Sequence, residues 1–208
     1  MNQSKEGLLL VVSGPAGTGK GTLDTALLSR HRDMKLSVSA TTRQPRNGEI
    51  DGVHYFFISE EKFKDMIAND EFLEYMHVFG MNYYGTPRKF VEEQLRNGID
   101  IILEIDVQGA MKVKKAYPEA VLIFIAPPSM SELKTRLIGR GTETEAQIEK
   151  RFATAFEEIK YISDYDYVVV NDIVEVAVNR MEAIITAEKC KSIRNKNLTQ
   201  SLQGGKIE

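Results

Sequence analysis

The feature that most constrains this chain is a glycine-rich turn between an apolar run and a predicted helix. Residues 8–13 are apolar almost without interruption, which is typical of a buried strand. Residues 20 to about 31 carry apolar side chains spaced for one face of a helix. The turn between them matches the pattern Gly-x4-Gly-Lys and reads Gly14-Pro15-Ala16-Gly17-Thr18-Gly19-Lys20.

This arrangement is typical of a loop that binds phosphate groups. Backbone N–H groups of such a turn point at phosphate oxygens, and the start of the helix adds the positive end of its dipole. The Lys20 ammonium can reach the outer phosphates of a nucleotide. The sequence therefore predicts that residues 14–22 bind a nucleotide polyphosphate.

One position departs from the usual pattern. Ser or Thr normally follows the lysine and contacts Mg²⁺, but here the next residue is Gly21, and Thr22 comes after it. Substrate phosphates and water can supply much of the coordination shell of Mg²⁺. We therefore expect Thr22 to contact the donor phosphates, with its hydroxyl at most a secondary metal contact.

Composition indicates a globular chain. The 208 residues are 42% hydrophobic and 27% charged, and the net charge is -3 at pH 7. Extensive disorder and a broadly basic surface for nucleic acid are therefore not expected. Cys190 is the only cysteine, so no intramolecular disulfide can form and a reducing, cytoplasmic location is expected. The polar N-terminus does not resemble a signal peptide, and the apolar runs are too short for a membrane span, so no membrane partner is expected.

Strand-like and helix-like segments alternate along much of the chain. After the first strand and helix, the later segments are residues 99–105, 108–116, 121–125, 130–138, 167–170 and 173–189. Buried strands that alternate with helices predict a parallel sheet covered on both faces.

Two stretches interrupt this alternation. Residues 39–87 contain a Thr/Arg/Pro-rich segment, an aromatic run and a short amphipathic helix at residues 60–69. They predict a small insertion with its own mixed sheet. Residues 127–160 are charged and rich in arginine, and Thr142 with Glu145 offers a capping box for a helix within them.

Several blocks along the chain closely resemble guanylate kinase. They are Ser39-Ala40-Thr41-Thr42-Arg43-Gln44-Pro45-Arg46, Gly48-Glu49, Asp51-Gly52, Tyr55, Asn82-Tyr83-Tyr84-Gly85-Thr86, Glu104-Ile105-Asp106-Val107-Gln108-Gly109 and Arg140-Gly141-Thr142-Glu143-Thr144. The resemblance runs from about residue 8 to residue 171. It implies an α/β fold of the P-loop class, with a three-layer core around a parallel sheet, a small mixed α+β insertion and a helical lid.

The resemblance also implies a division of the chain. Residues 1–38, 88–126 and 161–191 form the core, and the first of these segments carries the phosphate loop. The remaining parts are the GMP-binding insertion at residues 39–87, the lid at residues 127–160, and a polar tail at residues 192–208 that we expect to be flexible.

The acceptor phosphate needs a concentrated positive site. Arg43 and Arg46 carry planar, permanently charged groups that suit phosphate oxygens. Tyr55 and Tyr84 can add hydroxyl donors, and Ser39 contributes at the same end. The resemblance assigns all five residues to the binding of GMP.

The resemblance implies that a carboxylate selects the base. Guanine presents two adjacent donors, N1–H and its 2-amino group, which one carboxylate can accept together, whereas N1 of adenine is an acceptor. A site of this kind rejects a substrate lacking the matching group, by about 10⁴-fold in favourable cases. The resemblance gives this role to Glu74, with Thr86 donating to guanine O6 and Asp106 assisting near the amino group.

For the donor side, the resemblance implies catalysis by Lys20, Arg43, Arg140 and Arg151. The ATP-binding residues that it implies are Gly14, Pro15, Ala16, Gly17, Thr18, Gly19, Lys20, Gly21, Thr22, Arg136 and Asn171. Mg²⁺ is the implied cofactor, with Glu104 and Asp106 contacting it through water. No general base is expected, because the attacking phosphate oxygen is already mostly ionised, with a pKa of about 6. No catalytic role is assigned to His31, His54 or His77.

The implied reaction is transfer of the γ-phosphoryl group of ATP to GMP or dGMP, giving ADP and GDP in purine nucleotide recycling. Two alternatives stay open at this point. The first is a kinase for another monophosphate, most plausibly AMP, because adenylate kinases share the order Gly-Lys-Gly-Thr. The second is a guanylate-kinase-like scaffold domain without catalysis, although such domains typically have damaged phosphate loops. Monomer and homodimer are equally open.

Overall fold

The structure, a computed structural model, describes residues 6–78, 80–139, 144–195 and 202. Five parallel strands form the core sheet, in the order β2-β7-β1-β8-β9. These strands are β1 (Leu9–Ser13), β2 (Met34–Leu36), β7 (Asp100–Glu104), β8 (Val121–Ala126) and β9 (Tyr167–Val170). The central strand β1 is buried throughout, because it is paired on both edges and covered on both faces.

Helices cover the two faces of this sheet. On one face, α1 (Lys20–Arg30) and α7 (Val174–Cys190) pack Leu23, Leu27 and Met181 against alternate residues of the strands. On the other face, α3 (Arg88–Arg96) and α4 (Val107–Ala116) bury side chains such as Val91 and Val113. The prediction of a parallel sheet covered on both faces is therefore confirmed.

The first insertion has its own four-stranded sheet, in the order β4-β3-β6-β5. Its strands are β3 (Ala40–Thr41), β4 (Phe56–Phe57), β5 (Phe72–Val78) and β6 (Asn82–Pro87). Strand β3 pairs parallel to β4 and antiparallel to β6, so the sheet is mixed, as predicted. Helix α2 (Glu60–Ala68) buries Phe63, which stacks on Phe72 and Tyr83 and fixes the helix on the sheet.

Two helices form the second insertion. They are α5 (Met130–Ile138) and α6 (Glu145–Ile159), which share a small core of Leu133, Leu137 and Ala155. The capping box of α6 is Thr144 with Gln147, so the prediction of a box at Thr142 and Glu145 is wrong. Overlapping Thr-x-x-Glu and Thr-x-x-Gln patterns are present, and the helix uses the second because it begins at Glu145. Thr142 itself lies outside the described residues.

Short 3-10 helices at Ile162–Asp164 and Ser192–Asn195 complete the described elements. No helix in the described part of the chain is both long and apolar enough to cross a membrane.

Candidate active site

The phosphate loop connects the end of β1 to the start of α1. Gly14 has φ 137°, and a Cβ placed there would lie 2.4 Å from the Ile125 carbonyl oxygen, so a side chain at this position would clash. Gly19 is the N-cap of α1 with φ 87°. Among the described residues, no side chain caps α1 and no acidic residue lies in its first turn. The N–H groups at this helix end are therefore available to an anion.

Polar contacts hold the loop in shape. Lys20 Nζ donates to the carbonyl oxygens of Gly14, at 2.6 Å, and Pro15, at 3.2 Å. The buried Thr18 hydroxyl also donates to the Pro15 carbonyl, at 2.9 Å. The lysine ammonium thus lies over the loop that is expected to bind phosphate, which is the position that the motif requires.

Two residues expected on the donor side lie against the same loop. The side-chain amide of Asn171, a buried residue, donates to the Thr18 carbonyl at 2.8 Å. Arg136 Nη2 donates in turn to the Asn171 carbonyl at 3.1 Å, and its Nε pairs with Glu132. The structure therefore brings Arg136 and Asn171 together beside the loop.

Helix α1 carries a buried carboxyl group, Asp24, in its second turn. No role was predicted for this residue from the sequence. Asp24 is 1% exposed, and within residues 6–78, 80–139 and 144–195 no hydrogen-bond donor reaches either of its oxygens. Burial, followed by the adjacent Glu104 carboxyl, raises the pKa of Asp24 to about 8, while Lys20 acts to lower it. The two carboxyl groups can hydrogen-bond to each other only when one of them is protonated. The sequence signal was an acidic residue between the apolar positions 23 and 27 of an amphipathic helix.

The carboxyl groups near the loop fit a cation that is held mainly by its substrate. Glu104 Oε2 would lie 3.4 Å from a Cβ at Gly21, next to the place of the missing hydroxyl. Within the described ranges, no group of three or more Asp, Glu, His or Cys residues is arranged to hold a metal ion. Mg²⁺ commonly takes one or two carboxylates together with phosphates and water, so the residues present suit that mode.

Arg43 is the centre of the acceptor-phosphate end. Its guanidinium makes two hydrogen bonds of 2.9 Å to the Glu49 carboxylate and one of 3.3 Å from Nε to the Tyr84 hydroxyl. It also lies over the Tyr55 ring, 5.4 Å from the centroid. The hydrogen bonds from Arg43 lower the pKa of Glu49 to about 2 and, reciprocally, raise the pKa of Arg43.

Glu49 also accepts the backbone N–H of Arg46, at 2.7 Å, while the Arg46 side chain is exposed. Glu49 belongs to one of the blocks that resemble guanylate kinase, but no role was predicted for it from the sequence. In the structure, this carboxylate connects the two arginines that are expected to bind phosphate.

At the other end of the site, Glu74 lies on β5 with 7% of its surface exposed. The hydroxyl of the buried Thr86, opposite it on β6, donates to Glu74 Oε1 at 2.8 Å. Burial raises the pKa of Glu74 to about 7, and Asp106 adds to the shift, while the Thr86 hydrogen bond and Lys112 oppose it. Asp106 caps α4 by accepting the Gly109 N–H at 2.7 Å. The structure therefore brings Glu74, Thr86 and Asp106 together.

A cavity of about 370 Å³ joins the two ends. The predicted site residues that line it are Gly14, Ala16, Lys20, Ser39, Tyr55, Glu74, Tyr84, Glu104 and Asp106. Arg43 contacts two of them, Tyr55 and Tyr84. The cavity is also lined by Glu158 of α6, which the sequence analysis missed, and burial raises the pKa of this residue.

The second insertion faces the loop across another cavity, of about 420 Å³. Arg151, Lys150 and Thr154 of α6 line it together with Ala16 of the loop. The predicted Arg151 is therefore placed opposite the phosphate loop. Arg140 lies outside the described residues.

Comparisons with known proteins show which family the chain resembles. The family model "Guanylate kinase" matches residues 6–188. A guanylate kinase of Caldanaerobacter subterraneus subsp. tengcongensis is 58% identical over 198 residues, which cover 95% of this chain and 96% of that protein. A guanylate kinase of Clostridioides difficile is 57% identical over 194 residues, covering 93% and 94% of the two chains.

A solved structure extends the likeness to the fold. The crystal structure of guanylate kinase from Anaplasma phagocytophilum superposes with a TM-score of 0.75 at 37% identity, covering 91% of this chain and 90% of that one. With the family model spanning most of its length and relatives above half identity, this chain belongs to the guanylate kinase family.

Proposed function

We propose that this chain transfers the γ-phosphoryl group of ATP to GMP, and also to dGMP, giving ADP and the corresponding diphosphate. The observation that carries the proposal is one cavity with the phosphate loop and Lys20 at one end and the buried Glu74 carboxyl at the other. The first feature suits a polyphosphate donor, and the second suits a guanine base.

Guanine fits the Glu74 end for a chemical reason. A carboxylate accepts the N1–H and the 2-amino group together, and Thr86 and Asp106 lie beside it. Adenine would place the N1 lone pair against the same carboxylate and leave a buried charge unpaired, at a cost of about 1–3 kcal/mol or more. Selection of guanine over adenine therefore depends on the unpaired carboxylate that adenine would leave as much as on the hydrogen bonds that guanine would make.

The acceptor phosphate would bind at the other side of this pocket. Arg43 and Arg46 supply the charge, and Tyr55, Tyr84 and Ser39 supply hydroxyl donors. Glu49 already fixes the Arg43 fork, with two hydrogen bonds of 2.9 Å. An arginine held in one rotamer loses less side-chain entropy when the phosphate binds.

The donor ATP would lie along residues 14–22, with its phosphates on the backbone N–H groups and Lys20. Arg136 and Asn171 flank the loop, and Arg151 with Arg140 would contribute charge from the lid. We place Mg²⁺ with the ATP phosphates, where it would neutralise charge, and Glu104 and Asp106 would contact it through water. No general base is assigned, because a phosphate oxygen with a pKa of about 6 is already ionised near neutral pH.

The division of the chain suggests how water is excluded. Residues 39–87 and 127–160 would close over the bound substrates, while residues 1–38, 88–126 and 161–191 would form the frame. The predicted tail at residues 192–208 lies mostly outside the described residues. Closure prevents water from accepting the phosphoryl group. We place the reaction in the cytoplasm, in the recycling of purine nucleotides.

The experiment that tests this function measures ADP release from ATP with and without GMP. We expect GMP-dependent ADP release by the wild type. In Lys20→Met the rate of release should fall by about 10³-fold or more, because the variant lacks one of the main positive charges that would contact the donor phosphates. Lys89→Met, an exposed lysine on α3, is the control and should keep full activity. Absence of GMP-dependent release by the wild type would overturn the proposed function, and release that survives Lys20→Met would remove Lys20 from the transfer.

A further inference from the structure

We infer that Asp24 joins Glu104 in the protein's part of a divalent-cation site, at the place where the phosphate loop lacks its usual hydroxyl. The inference rests on the proposed function, because the cation would arrive with the phosphates of ATP. It assigns a binding role to Asp24, which neither the phosphate loop motif nor the guanine site requires.

Glu104 lies where the phosphate loop lacks its usual hydroxyl. A standard loop of this type offers a Ser or Thr hydroxyl to the metal from the residue after the lysine, and this chain has Gly21 there. Glu104, at the end of β7, places Oε2 3.4 Å from where a Cβ of Gly21 would stand. A carboxylate oxygen from the neighbouring strand therefore lies beside the position that the hydroxyl would have used.

Asp24 is buried beside a second carboxyl group. It lies one helical turn after Lys20 on the same side of α1, and its carboxyl group meets that of Glu104. It is 1% exposed, and in the described ranges its two oxygens have no hydrogen-bond donor. Leaving a buried acidic group without donors is costly, so a side chain of this kind at a ligand site indicates a missing partner.

The neighbours of Asp24 argue against a packing role. Leu23 and Leu27 on the same helix are fully buried in the apolar core, and that core does not need a carboxylate. Two carboxyl groups in contact are stable only when they share a proton or bind a cation. Of these two, the cation explains why the pair lies beside the loop that would hold the phosphates of ATP.

The test is the effect of Mg²⁺ on the binding of ADP, measured by calorimetry with Mg²⁺ and with EDTA at matched ionic strength. The measured quantity is the ratio of the two affinities. We expect Asp24→Asn to lower this ratio about 10-fold or more, without weakening ADP binding in EDTA. Glu104→Gln should do the same, and the double variant should lose little more, because both side chains serve one ion.

Two further variants make the result specific. Asp33→Asn removes an exposed carboxyl just beyond α1 and should leave the ratio as in the wild type. Gly21→Ser should change the wild-type ratio little but recover part of the loss in the Asp24→Asn background, because it restores the hydroxyl.

An unchanged ratio in Asp24→Asn would overturn the inference and leave Asp24 as a buried acid that shares a proton. If Asp24→Asn does not fold, Asp24→Ser takes its place, and Glu104→Gln alters a residue that is exposed. An unchanged affinity ratio in Glu104→Gln would also contradict the inference. Turnover of GMP by the wild type is measured in parallel, so that a failure of the proposed function is seen separately from a failure at Asp24.

Discussion

Glu74 shows how one residue can set the chemistry of this site. The side chain is nearly excluded from water, and the Thr86 hydroxyl donates to Oε1, which leaves acceptor capacity on Oε2. A buried carboxylate with free acceptor capacity binds a ligand that brings donors and opposes one that brings lone pairs. Guanine is such a donor-bearing ligand, so the proposed selection for guanine would be a property of this single environment.

Replacing this carboxylate tests the base assignment. In Glu74→Gln, an amide NH₂ donor replaces one of the two carboxylate oxygens, so it would face one of the guanine donors. We expect kcat/KM for GMP to fall by about 10³-fold. The KM for ATP should stay near its wild-type value, because the phosphate loop is untouched. Steady-state kinetics with each substrate varied in turn check both expectations, and a small effect on GMP would remove Glu74 from the role.

The pKa of Glu74 predicts a pH dependence of GMP binding. Burial raises this pKa to about 7, so the ligand-free carboxyl is increasingly protonated at lower pH and must lose its proton before guanine binds. Binding should therefore strengthen from about pH 6 to pH 8 and then level off, with a slope approaching tenfold per unit below the pKa.

The phosphate of GMP also titrates, with a pKa of about 6, and Glu74→Gln separates the two effects. In that variant only the phosphate dependence should remain when GMP affinity is measured by calorimetry across the same range. An identical pH profile in wild type and variant would show that ionisation of Glu74 does not control binding.

At the scale of elements, the start of α4 supports the guanine site. Asp106 caps the helix, and Gly109 in the first turn passes close to the Glu74 carboxyl. A Cβ at Gly109 would lie 3.3 Å from Glu74 Oε2 and 3.4 Å from Asp106 Oδ1. The glycine therefore permits the helix and the carboxylate to approach each other. Glycine within a helix otherwise costs about 1 kcal/mol of stability relative to Ala.

Gly109→Ala should separate stability from function. Alanine favours the helix, so the melting temperature should be unchanged or higher. The added methyl group displaces Glu74 by a few tenths of an ångström, and the KM for GMP should rise about 10-fold. Lys115→Ala, at an exposed position of the same helix, is the control for both measurements. An unchanged KM would mean that the approach at Gly109 does not position Glu74.

The elements also show what the sequence could predict. Strand β9 and helix α5 were predicted with the observed bounds, because each has a clear apolar pattern between turn residues. Strand β2 was not predicted, since only three residues pair and two of them are exposed. Helix α3 was also missed, because its buried positions are few among charged residues.

For the whole molecule, motif spacing predicted the phosphate loop, and the family resemblance named Glu74, Thr86 and Asp106, which the structure brings together. Contacts between distant segments could not be read in this way. Asp24 meets Glu104 only because β7 lies beside β1 in the sheet. Glu158 reaches the cavity only because the second insertion folds back over the loop. Such contacts follow from strand order, which no local pattern contains.

The whole molecule is also the scale at which the alternatives separate. A kinase for AMP would have to place an adenine against Glu74, and a scaffold domain would not need Lys20 over an intact phosphate loop. Both alternatives conflict with features at opposite ends of one cavity, so a single comparison of acceptors addresses them together.

The measurement that tests the account most directly is coupled-assay turnover of ATP against GMP, dGMP, AMP, UMP and CMP. We predict turnover of GMP and dGMP, with kcat/KM for AMP lower by about 10³-fold or more, because only guanine satisfies the buried carboxylate. Faster turnover of AMP than of GMP, or no turnover of any acceptor, would contradict it.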